Sequence, residues 1–173
     1  MTAPSVPSTR PTSDISKQAL FNVLLHRFGV DFNRVTVLDL FAGSGSLGIE
    51  AISCGCPNVL FIEANAKAAA CIRGNLRLLS VEQFAKVLQR KAEGIPDAVF
   101  LDFAAQSDEV LVFMDPPYAE KQLLRDQIKR FLGIFYRQKL LIAAESDEKL
   151  HLDGILPSHT LTHGKATFSI YGR

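Results

Sequence analysis

Val35-Thr-Val-Leu-Asp-Leu40 runs directly into Phe41-Ala-Gly-Ser-Gly-Ser46, and this stretch decides the fold. Its first half is apolar apart from Thr36 and Asp39, and opens with three β-branched residues, the pattern of a strand buried on both faces of a parallel sheet. Its second half is a glycine-rich turn, and a short helix is expected from about Leu47 to Cys54. Strand, glycine turn and helix make the opening of a right-handed βαβ unit.

Working outward, the same alternation repeats. Val59-Leu-Phe-Ile-Glu63 reads as a second strand, and Asn65 to Leu79 as a helix with Cys71, Ile72, Leu76 and Leu79 inward. Lys86-Val-Leu-Gln89 is a third, weaker strand. Glu109-Val-Leu-Val-Phe-Met114 is a fourth, ending at Asp115-Pro116-Pro117-Tyr118. Glu120 to Phe135 reads as a helix with Leu123, Leu124, Ile128, Phe131 and Leu132 on its apolar side, and Leu140–Glu145 as a fifth strand. The period then switches to two: Ser158–His163 and Ala166–Tyr171 form a hairpin around His163-Gly164-Lys165. Upstream, a helix is expected near 13–28, capped by Ser13 or Asp14, with Ile15, Ala19, Leu20, Val23 and Leu24 on one face. Three of the eight prolines fall in residues 1–12, which read as an extended arm. The expectation is one α/β, Rossmann-like domain over 13–173. It has a mostly parallel seven-stranded sheet, a C-terminal antiparallel hairpin and helices on both faces.

The chain has 173 residues, 47% of them apolar and 21% charged, which is ordinary globular composition. Nineteen Lys and Arg against eighteen Asp and Glu give a net charge of +1, so no whole-chain excess of cations marks a nucleic-acid partner. No apolar run is long enough for a membrane span, and the N-terminus lacks the apolar core of a secretory signal. The three cysteines (Cys54, Cys56, Cys71) form no CxxC and fit a reducing cytoplasm. Neither they nor the scattered histidines (His26, His151, His159, His163) have metal-site spacing, so no metal is expected.

In an open parallel sheet, ligands sit beyond the carboxyl ends of the strands. Asp39-Leu-Phe-Ala-Gly-Ser-Gly45, Glu63 and Asp115-Pro-Pro-Tyr118 all fall there. Gly43-x-Gly45-x-x-Gly48 matches the dinucleotide fingerprint, with Glu63 as the acid after the next strand, and an NAD-dependent oxidoreductase would use it. Asp39, however, would set a negative charge beside a pyrophosphate. It suits a ligand with a cationic amino-acid head, and S-adenosylmethionine has one, along with ribose hydroxyls for Glu63. The prolines of Asp115-Pro-Pro-Tyr118 fix a rigid turn that aims the Asp115 carboxylate and the Pro116 carbonyl at one point. Two acceptors suit an exocyclic amino group, and Tyr118 offers a ring on which a base can stack. Such hydrogen bonds favour a nitrogen whose lone pair can attack a sulfonium methyl in line.

These residues resemble class I S-adenosylmethionine-dependent methyltransferases that act on amino groups. Arg10-Pro-Thr-Ser-Asp14, Ala19-Leu-Phe-Asn22, Ser44-Gly-Ser-Leu-Gly-Ile-Glu-Ala51, Ala144-Glu-Ser146 and the closing hairpin narrow the resemblance. It is to the bacterial family that methylates N2 of a guanine in 16S ribosomal RNA, over roughly residues 9–173. The resemblance implies cofactor contacts from Thr12, Asp39, Phe41, Ala42, Gly43, Ser44, Gly45, Glu63 and Ala92. It implies catalysis by Asp115, Pro116 and Tyr118, with Pro117, Lys121 and Arg125 toward the substrate. It implies a cytoplasmic enzyme, expected as a monomer, whose partner is 16S rRNA within a small subunit or an assembly intermediate. Two departures stand out. Family members usually begin with a basic hairpin, whereas none of the nine residues before Arg10 is Lys or Arg. Lys91 stands where the family tends to carry Asp or Asn before an Ala, leaving the Ala92 N–H to meet an adenine edge.

The basic residues Lys121, Arg125, Lys129, Arg130, Arg137 and Lys139, in and after the helix following the Asp-Pro-Pro-Tyr turn, are the expected RNA surface. Three alternatives stay open: an amino methylase of DNA adenine-N6 or another RNA base, an NAD-dependent oxidoreductase, and a non-catalytic RNA-binding module.

Overall fold

All six residues of strand β1 (Val35–Leu40) are buried, which requires a neighbouring strand on each side and a helical layer on each face. A computed structural model of the chain describes residues 14–116, 120–147, 150, 152, 154–163 and 166–172. In it, β1 pairs in parallel with β2 (Val59–Ile62) on one side and β4 (Glu109–Met114) on the other. Beyond β2 lies β3 (Ala85–Leu88), and beyond β4 lies β5 (Lys139–Ser146), both parallel. Strand β7 (Ala166–Gly172) runs antiparallel to β5, and β6 (His159–His163) antiparallel to β7. The described residues therefore form a seven-stranded sheet of order β3-β2-β1-β4-β5-β7-β6, as expected.

Alternation along the strands divides the core in two. Val35, Val37, Val59, Phe61, Leu111, Phe113, Leu141 and Ala143 face helices α1 (Asp14–His26), α2 (Ser46–Ser53) and α3 (Ala66–Leu78). Leu38, Leu40, Leu60, Ile62, Val110, Val112, Met114 and Ile142 face α4 (Asp97–Ala104) and α5 (Lys121–Ile134). Aromatic rings anchor both layers. Phe21 stacks on Phe32 at 5.4 Å and touches Phe113, while Phe100 meets Phe131 edge-on at 4.9 Å. Each such ring contributes about 1.5–3 kcal/mol by leaving water.

Four details differ from the sequence expectation. The sequence reading places no element between Gln89 and Glu109, yet helix α4 forms there with Phe100 and Ala104, four apart, fully buried. On α1 the buried set is Ser16, Leu20, Phe21 and Leu24, and at about 100° per residue Ile15 falls on the opposite side, 62% exposed. On α3 the inward residues are Ala69, Ile72 and Leu76, and Cys71 is exposed. Leu79 is exposed too, because the helix stops at Leu78. Ser80 takes a left-handed φ of 57°, and the Val81 N–H turns back to the Leu76 carbonyl at 3.0 Å. Among the described residues, no helix is long and apolar enough to cross a membrane.

Candidate active site

Strand alternation also organises the polar residues. Asp39 and Glu145 lie on the odd-numbered face of β1 and β5, and Glu63 and Asp115 continue that numbering one residue past β2 and β4. Four carboxylates thus gather at the carboxyl end of the sheet, on the side covered by α1, α2 and α3.

Asp39 is 2% exposed, and its Oδ2 accepts the Gly48 N–H at 2.9 Å. That amide belongs to the first turn of α2, where an N–H has no partner within the helix. Helix α2 has Gly45, at φ 79°, in its cap position and no side-chain cap of its own, so Asp39 serves that role from the strand. Such an approach requires glycine at 48: a Cβ there would overlap the Phe61 ring and stand 3.0 Å from Asp39 Oδ2. Burial is the main cause that pushes the Asp39 carboxyl well above its ordinary value. The Gly48 hydrogen bond opposes the shift, and the charges of Asp115 and Glu63 add to it.

Glu63 ties two loops together. Its Oε2 accepts the Gly43 N–H at 2.8 Å, and its Oε1 accepts the Asn65 N–H at 2.7 Å. Asn65 caps α3, accepting from the amides of Lys67 and Ala68. Between β1 and the glycine turn, Phe41 has a φ of 63°, and an aromatic residue held there stores on the order of 1–3 kcal/mol. Ala42 follows with its N–H on the Ile62 carbonyl, and Ser44 is exposed at the apex.

Asp115 is half-buried and Pro116 buried. The β4–β5 register pairs Met114 with Ala144, so the next residues in step are Asp115 and Glu145. Glu145 is 4% exposed and, with Pro116, Lys121, Leu124 and Ser146, lines a cleft at the start of α5. Sequence reading gave Glu145 no role of its own, although an acid ending an apolar strand in step with Asp115 was a usable signal. Thr12, Pro117 and Tyr118 lie outside the described residues.

The expected RNA surface on α5 is largely consumed by local partners. Lys121 Nζ pairs with Asp147 at 3.3 Å, and Lys139 Nζ with Glu109 at 2.9 Å. Arg130 binds Asp97 and the carbonyls of Ala92 and Ile95, with its guanidinium 5.2 Å from the centre of the Phe100 ring. It is a strut that holds the turn carrying Ala92, which is 2% exposed. Arg125 is half-buried, with its Nε enclosed and without a hydrogen-bond partner. Only Lys129 and Arg137 of the six are exposed and without a carboxylate partner among the described residues; Arg137 rests on Tyr136. A groove of about 320 Å³ lies elsewhere, between Lys17, Ser44, Glu50, Asn75, Leu78 and Leu79, and shares only Ser44 with the expected cofactor residues.

The family model described as Conserved hypothetical protein 95 matches residues 1–171. A Bacillus subtilis (strain 168) protein, YlbH, provisionally named an rRNA methyltransferase, is 34% identical over 172 residues, covering 95% of this chain and 85% of that protein. Ribosomal RNA small subunit methyltransferase D of Haemophilus influenzae is 37% identical over 113 residues, 63% of this chain. The chain spans about half of that relative's length, 53%. Among solved structures, YhhF of Escherichia coli, provisionally named a methyltransferase, matches with a TM-score of 0.67 at 26% identity, covering 98% of this chain and 90% of that one.

Proposed function

The chain belongs to the Conserved hypothetical protein 95 family, and from that premise we propose that it transfers the methyl group of S-adenosylmethionine to the exocyclic N2 amino group of a guanine in 16S ribosomal RNA. The names of its relatives support ribosomal RNA as the substrate class. The observation that carries the chemistry is the pair of neighbouring strand ends, Asp115-Pro116 and Glu145.

The residues present fit the cofactor. Asp39 and Glu63 supply carboxylate acceptors, which an ammonium and two ribose hydroxyls require. A carboxylate offers about four lone-pair sites, so Glu63 retains capacity beyond its two amide partners. The same geometry disfavours a dinucleotide. The amides of Gly43 and Gly48, which a pyrophosphate would seek, already donate to Glu63 and Asp39. Phe41, Ala42, Ser44, Gly45 and Ala92 complete the proposed cofactor set, with Thr12 from the N-terminal arm.

When bound, S-adenosylmethionine supplies an electrophilic methyl group on a sulfonium. Asp115 and the Pro116 carbonyl accept the two N–H groups of the target amine, which orients its lone pair and favours a tetrahedral nitrogen. As the N–C bond forms and the sulfonium S–CH3 bond breaks, Asp115 would stabilise the positive charge that the nitrogen gains; the thioether leaves, and one N–H proton passes to solvent. Glu145 deepens the choice of base. Guanine carries an N1–H donor beside its N2 amino group, whereas adenine carries an acceptor beside N6. Adjacent strands lie about 4.8 Å apart, so Asp115 and Glu145 can meet neighbouring donors on one base edge. Tyr118 stacks against the flipped base with Pro117 beside it, Lys121 borders the cleft, and Arg125 lies one turn further along α5, toward the substrate. The enzyme is a single domain over 13–173 that works as a monomer in the cytoplasm, on a small subunit or an assembly intermediate.

Labelled methyl transfer to under-methylated small subunits, followed by mapping of the modified base, tests this reading. Asp115→Ala should abolish transfer while the variant keeps its fold and its affinity for S-adenosylmethionine by calorimetry. Transfer by that variant at the normal rate would sink the assignment.

A further inference from the structure

The net charge of +1 conceals a strong asymmetry. Residues 64–92 hold six cations (Lys67, Arg73, Arg77, Lys86, Arg90 and Lys91) and one acid, Glu82; the rest of the chain holds thirteen cations and seventeen acids. These 29 residues, at +5, comprise α3, β3 and their connections at one edge of the sheet. All six cations are exposed, and among the described residues none forms an ion pair. The contrast with α5, whose Lys121 and Arg130 are held by acids, is direct.

Placement makes this a surface and not a scatter. Among the described residues β3 pairs only with β2, and no other strand lies hydrogen-bonded along its outer edge. Arg73 reaches from α3 to that edge, with its Nη2 3.5 Å from the Val87 carbonyl. Lys86 lies on the α4 side of β3, in step with Leu88, so cations flank the edge from both layers. Lys67, in the first turn of α3, and Arg90 and Lys91, just past β3, stand at the carboxyl end of the sheet with Glu63 and Ala92. Lys67 is unfavourable to its own helix, because a cation in the first turn opposes the helix dipole. From Lys67 to Arg77 the helix rises roughly 15 Å, long enough to follow more than one phosphate of an RNA strand.

We infer that this β3–α3 edge is the docking surface for the RNA backbone, in place of α5. The inference rests on the proposed function for its partner, yet its test does not need turnover. Three strand spacings of about 4.8 Å separate β3 from β4, so phosphates held here belong to nucleotides flanking the target and not to the target itself. Such contacts position the RNA and carry no base information.

The test uses full-length protein and under-methylated small subunits, with binding measured by co-sedimentation at 50 and 200 mM KCl. The triple variant Arg77→Gln, Lys86→Gln, Arg90→Gln removes three edge charges outside the catalytic and cofactor residues. A control triple, Arg27→Gln, Lys129→Gln, Arg137→Gln, removes the same net charge from exposed sites elsewhere. At about 0.7 of a salt-slope unit per phosphate, the edge variant should lose roughly 15- to 20-fold of the wild-type salt sensitivity over that range. Its KM for subunits should rise, with kcat and the S-adenosylmethionine Kd within about twofold of wild type. The control triple should retain most of the wild-type salt dependence. Equal effects of the two triples would overturn the inference, as would an edge variant with the wild-type salt slope. Weakened binding to subunits with unchanged binding to deproteinised 16S RNA would assign the surface to a ribosomal protein, and also overturn it. Salt-sensitive, edge-dependent binding by a wild-type protein that methylates no RNA would instead remove the functional reading and leave the surface standing.

Discussion

Replacing Gly48 by alanine tests how closely α2 is drawn onto the sheet. The added methyl would overlap the buried Phe61 ring and crowd Asp39 Oδ2, so α2 must move outward. That movement costs about 1–3 kcal/mol in overpacking. It also loosens the Gly48 N–H bond to Asp39 Oδ2, and a hydrogen bond to an uncharged carboxyl contributes about 0.5–1.5 kcal/mol. Alanine returns about 1 kcal/mol through its better helix propensity. The balance is a loss of roughly 1–3 kcal/mol, or a fall in Tm of about 2–12 °C for a domain of this size. Gly74, within α3, supplies the matched comparison, since a Cβ there meets nothing within 4 Å. Gly74→Ala should therefore stabilise by up to about 1 kcal/mol, from propensity alone. Urea denaturation of both variants reads the two signs. A Gly48→Ala protein as stable as wild type would refute the close approach, and with it the role of Asp39 at the start of α2.

Glu145→Gln should erase a preference of about 10- to 100-fold for guanine over 2-aminopurine at the target position, because 2-aminopurine keeps the N2 amine and lacks N1–H. Methyl transfer to subunits reconstituted with each base measures the ratio, and an unchanged ratio would remove Glu145 from base recognition. Burial holds the Asp39 carboxyl well above its usual value, so its neutral form is favoured in the folded protein. Its contribution to stability is full below the unfolded value of about 3.9 and is lost as pH rises through the folded one. A cationic ligand needs the charged form, so S-adenosylmethionine affinity should increase with pH across that same window, with proton release visible by calorimetry in buffers of different ionisation enthalpy. A flat pH profile would count against Asp39 as the ammonium partner. Arg130→Ala takes the guanidinium donor from the Ile95 carbonyl and leaves the Ala92 carbonyl with the Ile95 N–H alone, and should cost about 1–3 kcal/mol in urea denaturation, alongside weaker S-adenosylmethionine binding. Unaltered stability would mean that the strut is dispensable.

The parallel sheet and its closing hairpin were legible because apolar runs and glycine turns are local signals. Helix α4 was legible in principle: Val99, Phe100, Phe103 and Ala104 carry helical spacing. It has no side-chain cap, and Pro96 in the cap position reads more readily as loop. The fate of the α5 cations was not legible. Arg130 finds Asp97 from 33 residues away, and Lys121 finds Asp147 only once β5 lies beside α5. Asp39 shows a related limit. Its type and position marked it as a ligand-end carboxylate, but only the packing of α2 showed that one oxygen is already committed to an amide.

The outer edge of β3, unpaired among the described residues, has a consequence for solubility as well as for recognition. An unpaired strand edge is a template on which a second molecule can add its own strand, the first step toward aggregation. Two such edges meeting here would bring Arg73, Lys86 and Arg90 of each copy face to face, and like charges directly opposed across a strand pair are repulsive. The cations therefore guard the edge in the free protein. Each must be desolvated or neutralised by a polyanion before anything can lie along it.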